Sequence, residues 1–316
     1  MFDTPISPFL KVQSENYTYK TFDSKRPILA TAHYTNSFDE PKPIVLSIHG
    51  GGYSTGARSE KPTPQIEHLC RNNIVVVSID HRLFPNVSLA DGPVADTRDA
   101  YHWCRTELPK LMWDDFDIEV DGNRIAVMGY SSGAHMAMLL GLETPKPKAV
   151  LDFYGTMYLS DEWWTKSVDL PVPDFDKKFI EKVFSEPVVT SVTQLPADRA
   201  KDENTGMDAR TAWLMTRMKT GTLVEAITGG DFDKFDPPTR FSSEFPPTFF
   251  AHGEKDNLVS VEISKKAYAQ LKELGVDTDM VIVGGKGHGY DATIDEMDDH
   301  WEDYVQKGLD FLIEHV

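Results

Sequence analysis

The sequence predicts an α/β fold, with a mostly parallel central sheet, helices on both of its faces and a helical segment inserted late in the chain. Three observations carry this. Short, nearly unbroken apolar runs recur at Ile44 to Ile48, Ile74 to Ile79, Ile125 to Met128 and Ala149 to Phe153. Such runs suit strands buried on both faces, as in a parallel sheet. Helix-like stretches at Pro64 to Asn72, Val94 to Leu108 and Ala134 to Leu142 fill the gaps. Alternation of this kind builds a parallel sheet through right-handed crossovers. The alternation then stops near Gly155 and resumes at Thr248 to Ala251.

Each element has its own reason. The first 40 residues alternate apolar and polar, as in Asn16 to Lys20 and Ile28 to Tyr34, so they predict one or two antiparallel edge strands. The four buried strands and three helices follow. Residues 156–245 are rich in Trp, Phe, Pro and Asp and hold no buried-strand run. Lys177 to Phe184 and Ala209 to Lys219 read as helices there, and the rest as loops. After the strand at Thr248, Val261 to Leu274 predicts a helix, Met280 to Val283 a strand and Asp295 to His315 the last helix. That helix places Trp301, Tyr304, Val305, Leu309 and Leu312 on one face, so it packs on the sheet. The expected division is a core of 1–155 and 246–316 around an inserted helical lid or cap at 156–245.

Composition narrows the function by exclusion. The 316 residues carry 32 basic and 50 acidic side chains, a net charge of −18. Phosphate binding needs a cationic face, so nucleic acid is not an expected partner. Anionic membrane surfaces are disfavoured for the same reason. Two cysteines, Cys70 and Cys104, make no disulfide framework and read as buried thiols. Met1 to Leu10 has no basic and apolar signal pattern, and no apolar run approaches about 18 residues. A cytoplasmic, reducing setting is expected.

The chemistry starts from a repeated pattern. G-x-S-x-G occurs at Gly52-Tyr53-Ser54-Thr55-Gly56 and again at Gly129-Tyr130-Ser131-Ser132-Gly133. A nucleophile elbow needs a strand before the serine and a helix directly after it. The second copy has both, whereas the first runs into the polar loop Ala57 to Pro62 and reads as chance. Ser131 is therefore the candidate nucleophile. Its hydroxyl is weak until a base takes the proton. The partners of an elbow serine follow in the order acid, then histidine. His288 lies in the glycine-rich loop Gly284 to Tyr290, directly after a strand, at the end where α/β ligand sites form. His252 reads instead as a loop-orienting residue, and His300 and His315 as members of the last helix. Asp256, just past a strand, is the candidate acid that fixes the imidazole tautomer. Glu254 is the rival, and Asp291 is too near His288 in sequence to reach its far nitrogen. Amides that could hold an oxyanion come from the glycines of His49-Gly50-Gly51-Gly52-Tyr53, and from Ser132.

Together these residues resemble an α/β-hydrolase of the hormone-sensitive-lipase-like carboxylesterase group. The resemblance covers about Pro43 to Leu151 and Phe245 to Val316. Asp80-His81-Arg82-Leu83-Phe84-Pro85 looks like that group's Asp-Tyr-Arg-Leu-Ala-Pro stretch. The resemblance implies the second and third glycines, Gly51 and Gly52, as oxyanion donors, and Asp80 with Arg82 as a structural ion pair. Two departures stand out. Tyr130 replaces the aspartate the group usually has before its serine, and Ser132-Gly133-Ala134-His135 is more similar to the formamidase and acetyl-esterase branches.

No metal and no cofactor is expected. Asp117 to Gly122 nearly copies a calcium loop, but the twelfth position is Met128 and a strand follows, so it reads as a solvated loop. Gly284 to Gly289 lacks dinucleotide-binding spacing. Trp163, Trp164, Phe175, Phe179, Phe184, Trp213 and Met215 supply an apolar lid interior. Tyr53, Tyr130, Trp163, Trp164 and Trp213 are the expected pocket residues. The expected reaction is serine hydrolysis of small to medium carboxylic esters through an acyl-enzyme. Amidase, formamidase, lactonase and acyltransferase chemistry use the same triad, and a non-catalytic ligand-binding module is the remote alternative.

Overall fold

The computed structural model describes residues 11–316 apart from 24, 37–39, 61 and 196. The signal-free reading of Met1 to Leu10 lies outside the described residues. Eight strands form one sheet: β1 (Gln13–Phe22), β2 (Arg26–Tyr34), β3 (Lys42–Ile48), β4 (Val75–Ile79), β5 (Val120–Tyr130), β6 (Val150–Phe153), β7 (Thr248–Gly253) and β8 (Thr278–Val283). Their order is β1-β2-β4-β3-β5-β6-β7-β8. The pairs from β4 through β8 are parallel, and the β1–β2 hairpin joins antiparallel at one edge. This is the α/β architecture the apolar runs predict. Every residue of β3, β4, β6 and β7 is buried, whereas β1 alternates because one of its faces meets water.

Among the described residues ten α-helices flank or extend the sheet: α1 (Thr63–Arg71), α2 (Ala95–Thr106), α3 (Leu108–Phe116), α4 (Ser132–Leu140), α5 (Lys177–Ile180), α6 (Ala209–Lys219), α7 (Leu223–Thr228), α8 (Phe232–Phe235), α9 (Val261–Glu273) and α10 (Lys307–His315). Alternate strand residues point to opposite faces, and the core divides accordingly. Leu46, Val77 and Val127 join Tyr101 of α2, Met136 of α4 and Leu271 of α9 on one face. Val45, Val76 and Met128 join Leu69 of α1 and Leu309 and Leu312 of α10 on the other. Cys70 and Cys104 are buried, one in each layer, and no disulfide joins them.

Three boundaries differ from expectation. β5 starts at Val120, so Asp121 and Gly122 lie in the strand and not in a solvated loop. Its early start is anchored where Val120 pairs Lys42, with an irregularity before Ile44. The last helix begins near Trp301, because 295–300 form turns capped by their own aspartates, Asp295 and Asp298. His300 therefore precedes that helix, stacked on Tyr304. Between β6 and β7 the chain adds no strand to the sheet, but α7 and α8 form in stretches that read as loops. Among the described residues no helix is long and apolar enough to cross a membrane.

Candidate active site

Parallel strands end on one side of the sheet, and the candidate residues follow four of those ends. Gly51 and Gly52 come after β3, Ser131 after β5, Asp256 after β7 and His288 after β8. Ser131 adopts φ 54° and ψ −119°, a conformation that costs energy for a residue with a side chain. It is held there because α4 starts at the next residue, while the Ser131 N–H donates to the Phe153 carbonyl at 2.9 Å. The flanking glycines are required. A Cβ on Gly129 would lie 2.2 Å from the Gly133 carbonyl oxygen, and one on Gly133 would lie 2.2 Å from that of Ile48. The first G-x-S-x-G copy turns into no helix. Ser54 is fully buried there, and its carbonyl accepts from Arg210.

His288 and Asp256 meet as expected: Nδ1 of the half-buried imidazole lies 2.6 Å from Oδ2 of the buried carboxylate. The other carboxylate oxygen accepts from the N–H groups of Leu258 and Val259 at 2.8 and 3.0 Å. Burial alone would raise the Asp256 carboxyl. The hydrogen bonds from His252, His288 and the Val259 amide outweigh it and hold the group well below the usual carboxylate range. An ionised Asp256 requires the proton on Nδ1, which leaves Nε2 as a lone pair. Among the described residues no hydrogen bond joins Ser131 to His288. Such bonds often tighten only with substrate in place.

The rivals are occupied elsewhere. Glu254 accepts the Gly285 amide at 2.9 Å and so shapes the loop that carries His288. His252 is fully buried, reaches the Val259 carbonyl and Ser264 Oγ, and lies 3.3 Å from Asp256. That is the loop-orienting part expected of it. Asp291 is buried and accepts from Gln65 and from the Tyr154 hydroxyl.

The glycine loop presents its backbone to the same place. Gly51 and Gly52 have φ 102° and 57°, a region that costs any other residue strain. Among the described residues, neither their N–H groups nor that of Ser132 donates to another protein group. Tyr53 N donates to Ser132 Oγ at 3.3 Å, which ties this loop to the start of α4. Behind it the buried rings of His49 and His81 stack with centroids 4.4 Å apart. Burial, then the neighbouring His49, pushes His81 down to about 3, so that wall carries no charge near neutrality.

One cleft opens onto Ser131, and a second opens beside its neighbours Gly50 and Tyr130. The first is narrow and mainly apolar, lined by Gly52, Tyr53, Ser131 and Ser132 on the core side and by Trp163, Trp164 and residues of α6 and α7 on the other. The second is lined by Gly50, Glu60, Tyr130, Tyr154 and Asp291. Two expectations need correction, those on Trp213 and on the Asp80–Arg82 pair. Trp213 lines neither cleft: it is buried against Phe84 and Phe184, because α6 turns that face inward. Tyr130 belongs to the second cleft, where its hydroxyl donates to Gln65. Asp80 and Arg82 do not pair. Asp80 binds Arg58 at 2.5 Å and Arg82 binds Asp96 at 2.7 Å, since the two neighbours leave the strand end in different directions.

Sequence reasoning missed Tyr154. Its ring centroid lies 4.6 Å from that of His288, and its hydroxyl donates to Asp291. The available signal was its place directly after β6, the same strand end that supplies the other groups.

Sheet order and the strand–turn–helix at Ser131 put the chain in the α/β-hydrolase class. Solved structures share the fold. Thermogutta terrifontis esterase 2 has TM-score 0.64 and 19% identity over 95% of this chain and 92% of that one. Esterase LipW from Mycobacterium marinum has TM-score 0.65 and 19% identity over 95% and 81%. A Staphylococcus aureus protein of unknown function reaches 0.68 and 20% over 95% and 99%. Within that class the chain belongs to the BD-FAE family, whose model matches residues 33–271. It is also 33% identical to the non-reducing polyketide synthase Preu6 of Preussia isomera, over 98% of this chain and 15% of that protein. For the non-reducing polyketide synthase ausA of Penicillium brasilianum the values are 31%, 92% and 13%. The chain thus spans only a small fraction of the length of these relatives.

Proposed function

We propose that the chain is a serine hydrolase that cleaves small to medium carboxylic esters through an acyl-enzyme. The observation that carries this reading is the 2.6 Å contact between His288 Nδ1 and the buried Asp256 carboxylate, past strand ends on the same side of the sheet as the Ser131 turn. Ser131 Oγ attacks the ester carbonyl as His288 Nε2 takes its proton. The carbonyl oxygen becomes an oxyanion, held by the amides of Gly51, Gly52 and Ser132. Asp256 stabilises the imidazolium without itself taking the proton. The tetrahedral intermediate collapses as His288 protonates the leaving alcohol. Water, deprotonated by the same histidine, then attacks the acyl-enzyme and frees the acid and Ser131. Residues 156–245 act as a cap over the serine. The first cleft admits the centre of a water-sized sphere over only about 60 Å³. A dry cavity of about 150 Å³ is what holds benzene, so the cleft supports short acyl chains.

Thermogutta terrifontis esterase 2 is known phosphorylated by paraoxon, which makes an organophosphorus probe the direct test. A fluorophosphonate is expected to add its mass once to the intact protein and not to Ser131→Ala. Labelling of Ser131→Ala, or none of the unaltered chain, would sink the reading. The polyketide synthase relatives favour a second reading, in which an alcohol replaces water and a polyketide acyl group is transferred. Product analysis with an added alcohol separates the two: free acid marks hydrolysis and a new ester marks transfer.

A further inference from the structure

The first cleft is mainly apolar, and the charged residues in its lining are two cations, Lys166 and Arg217. Their situations differ. Lys166 is exposed and pairs with Glu162 at 2.7 Å. Arg217 is half-buried and, among the described residues, forms no ion pair. Its contacts are one long hydrogen bond, 3.4 Å from Nη1 to Thr222 Oγ1, and the Trp213 ring 5.7 Å from its guanidinium carbon. The chain carries 50 acidic against 32 basic residues, yet no carboxylate faces this guanidinium at ion-pair distance among the described residues. The last turn of α6 suits a positive charge, and the Trp213 face holds the guanidinium in place. Neither explains why an unpaired donor fork borders the slot that leads to Ser131.

The position of His288 decides which half of the substrate this slot takes. The leaving group must lie on the side of the histidine that protonates it. Tyr154, whose ring packs on His288, lines the second cleft and not the first. The leaving alcohol is given the second cleft, on the Tyr154 side of His288, and the acyl chain the first, which Gly52, Ser131 and Ser132 line.

We infer that the acyl chain this site prefers carries a carboxylate at its far end, bound by Arg217, so that the substrates are half-esters of short dicarboxylic acids or similarly acidic acyl groups. The inference rests on the Ser131 reading of the site. A guanidinium presents two parallel N–H donors to a carboxylate, and the apolar walls around it strengthen the pairing. The overall charge of −18 repels anions, so any such preference must come from the slot itself.

The test uses the full chain and half-esters of increasing length: monoethyl succinate, glutarate and adipate. Each is compared with a neutral ethyl ester of the same shape, in which an isopropyl group replaces the carboxylate. At the length that spans the slot, kcat/KM for the charged ester should exceed that of its neutral partner by roughly tenfold or more, the scale of a hydrogen bond to a charged group. Arg217→Gln should bring that ratio towards one. Arg217→Lys should keep part of it, since lysine offers charge without the fork. Lys110→Gln, which removes an equal charge from the exposed face of α3, should leave it unchanged. Ratios at or below one at every length, or a ratio that survives Arg217→Gln in folded protein, overturn the inference. A parallel measurement needs no turnover: in Ser131→Ala, tryptophan fluorescence from Trp163 and Trp164 reports binding of the same pairs. If no ester is cleaved and no fluorophosphonate adds, the serine-hydrolase reading falls. The binding ratio in Ser131→Ala, with and without Arg217→Gln, still decides the part given to Arg217.

Discussion

Asp256 illustrates how one residue joins chemistry to stability. Asp256→Asn keeps an oxygen for the Leu258 and Val259 amides but no longer fixes the His288 tautomer. It should lower kcat on short esters by about 10⁴, the scale seen for serine triads. Its pH signature has a definite sign. The folded carboxyl sits below its ordinary value of 3.8, so ionisation favours the folded state. That contribution is present above about pH 4 and drains away as the pH falls further. Thermal melts from pH 6 to pH 2.5 should therefore fall less steeply for Asp256→Asn than for the unaltered chain. Tyr154→Phe removes one of the two side-chain donors to buried Asp291 and should cost about 1–3 kcal/mol in urea unfolding. The places of Ser131, Asp256 and His288 just past β5, β7 and β8 were legible because the sequence marks those three strands. The Asp80 and Arg82 partners were not. Which of several nearby charges a side chain meets depends on Arg58 and Asp96, and only tertiary packing brings those into reach.

At the scale of elements, Arg210 of α6 is the pin between the 156–245 segment and the glycine loop. It is fully buried and donates to the Ser54 and Phe84 carbonyls, to Asn86 and to Glu186. Arg210→Met leaves those acceptors unanswered and should destabilise the protein by about 3–5 kcal/mol, measured by denaturant titration. Helix α6 itself was readable to the residue, since Asp208 caps its N-terminus and the apolar spacing is helical. The short α7 and α8 were not, because six and four residues carry too little periodicity to register. The late start of α10 escaped for the opposite reason: the sequence before it is helix-like in composition, but the local bonds of Asp295 and Asp298 divert it into turns.

For the whole molecule, the apolar side chains of 156–245 divide between a small cluster of their own, Val183, Trp213 and Leu214, and the main core. Met157, Leu159, Val224, Ile227, Phe235 and Phe245 belong to the same buried cluster as the strands. Calorimetry should accordingly show one unfolding transition, with calorimetric and van't Hoff enthalpies equal. Two resolved transitions would mean that the segment folds by itself. The charge of −18 predicts that moderate salt raises the melting temperature, because screening relieves self-repulsion. The scatter of the site along the chain has a practical outcome. Gly51, Ser131, Asp256 and His288 stand after four different strands, so on the proposed reading no fragment shorter than 51–288 carries the whole set. A serine-directed fluorophosphonate thus counts folded molecules one by one. In a denaturant series its signal should vanish at the midpoint where tryptophan fluorescence changes, which makes the reagent a census of intact tertiary structure in mixtures too crude for spectroscopy.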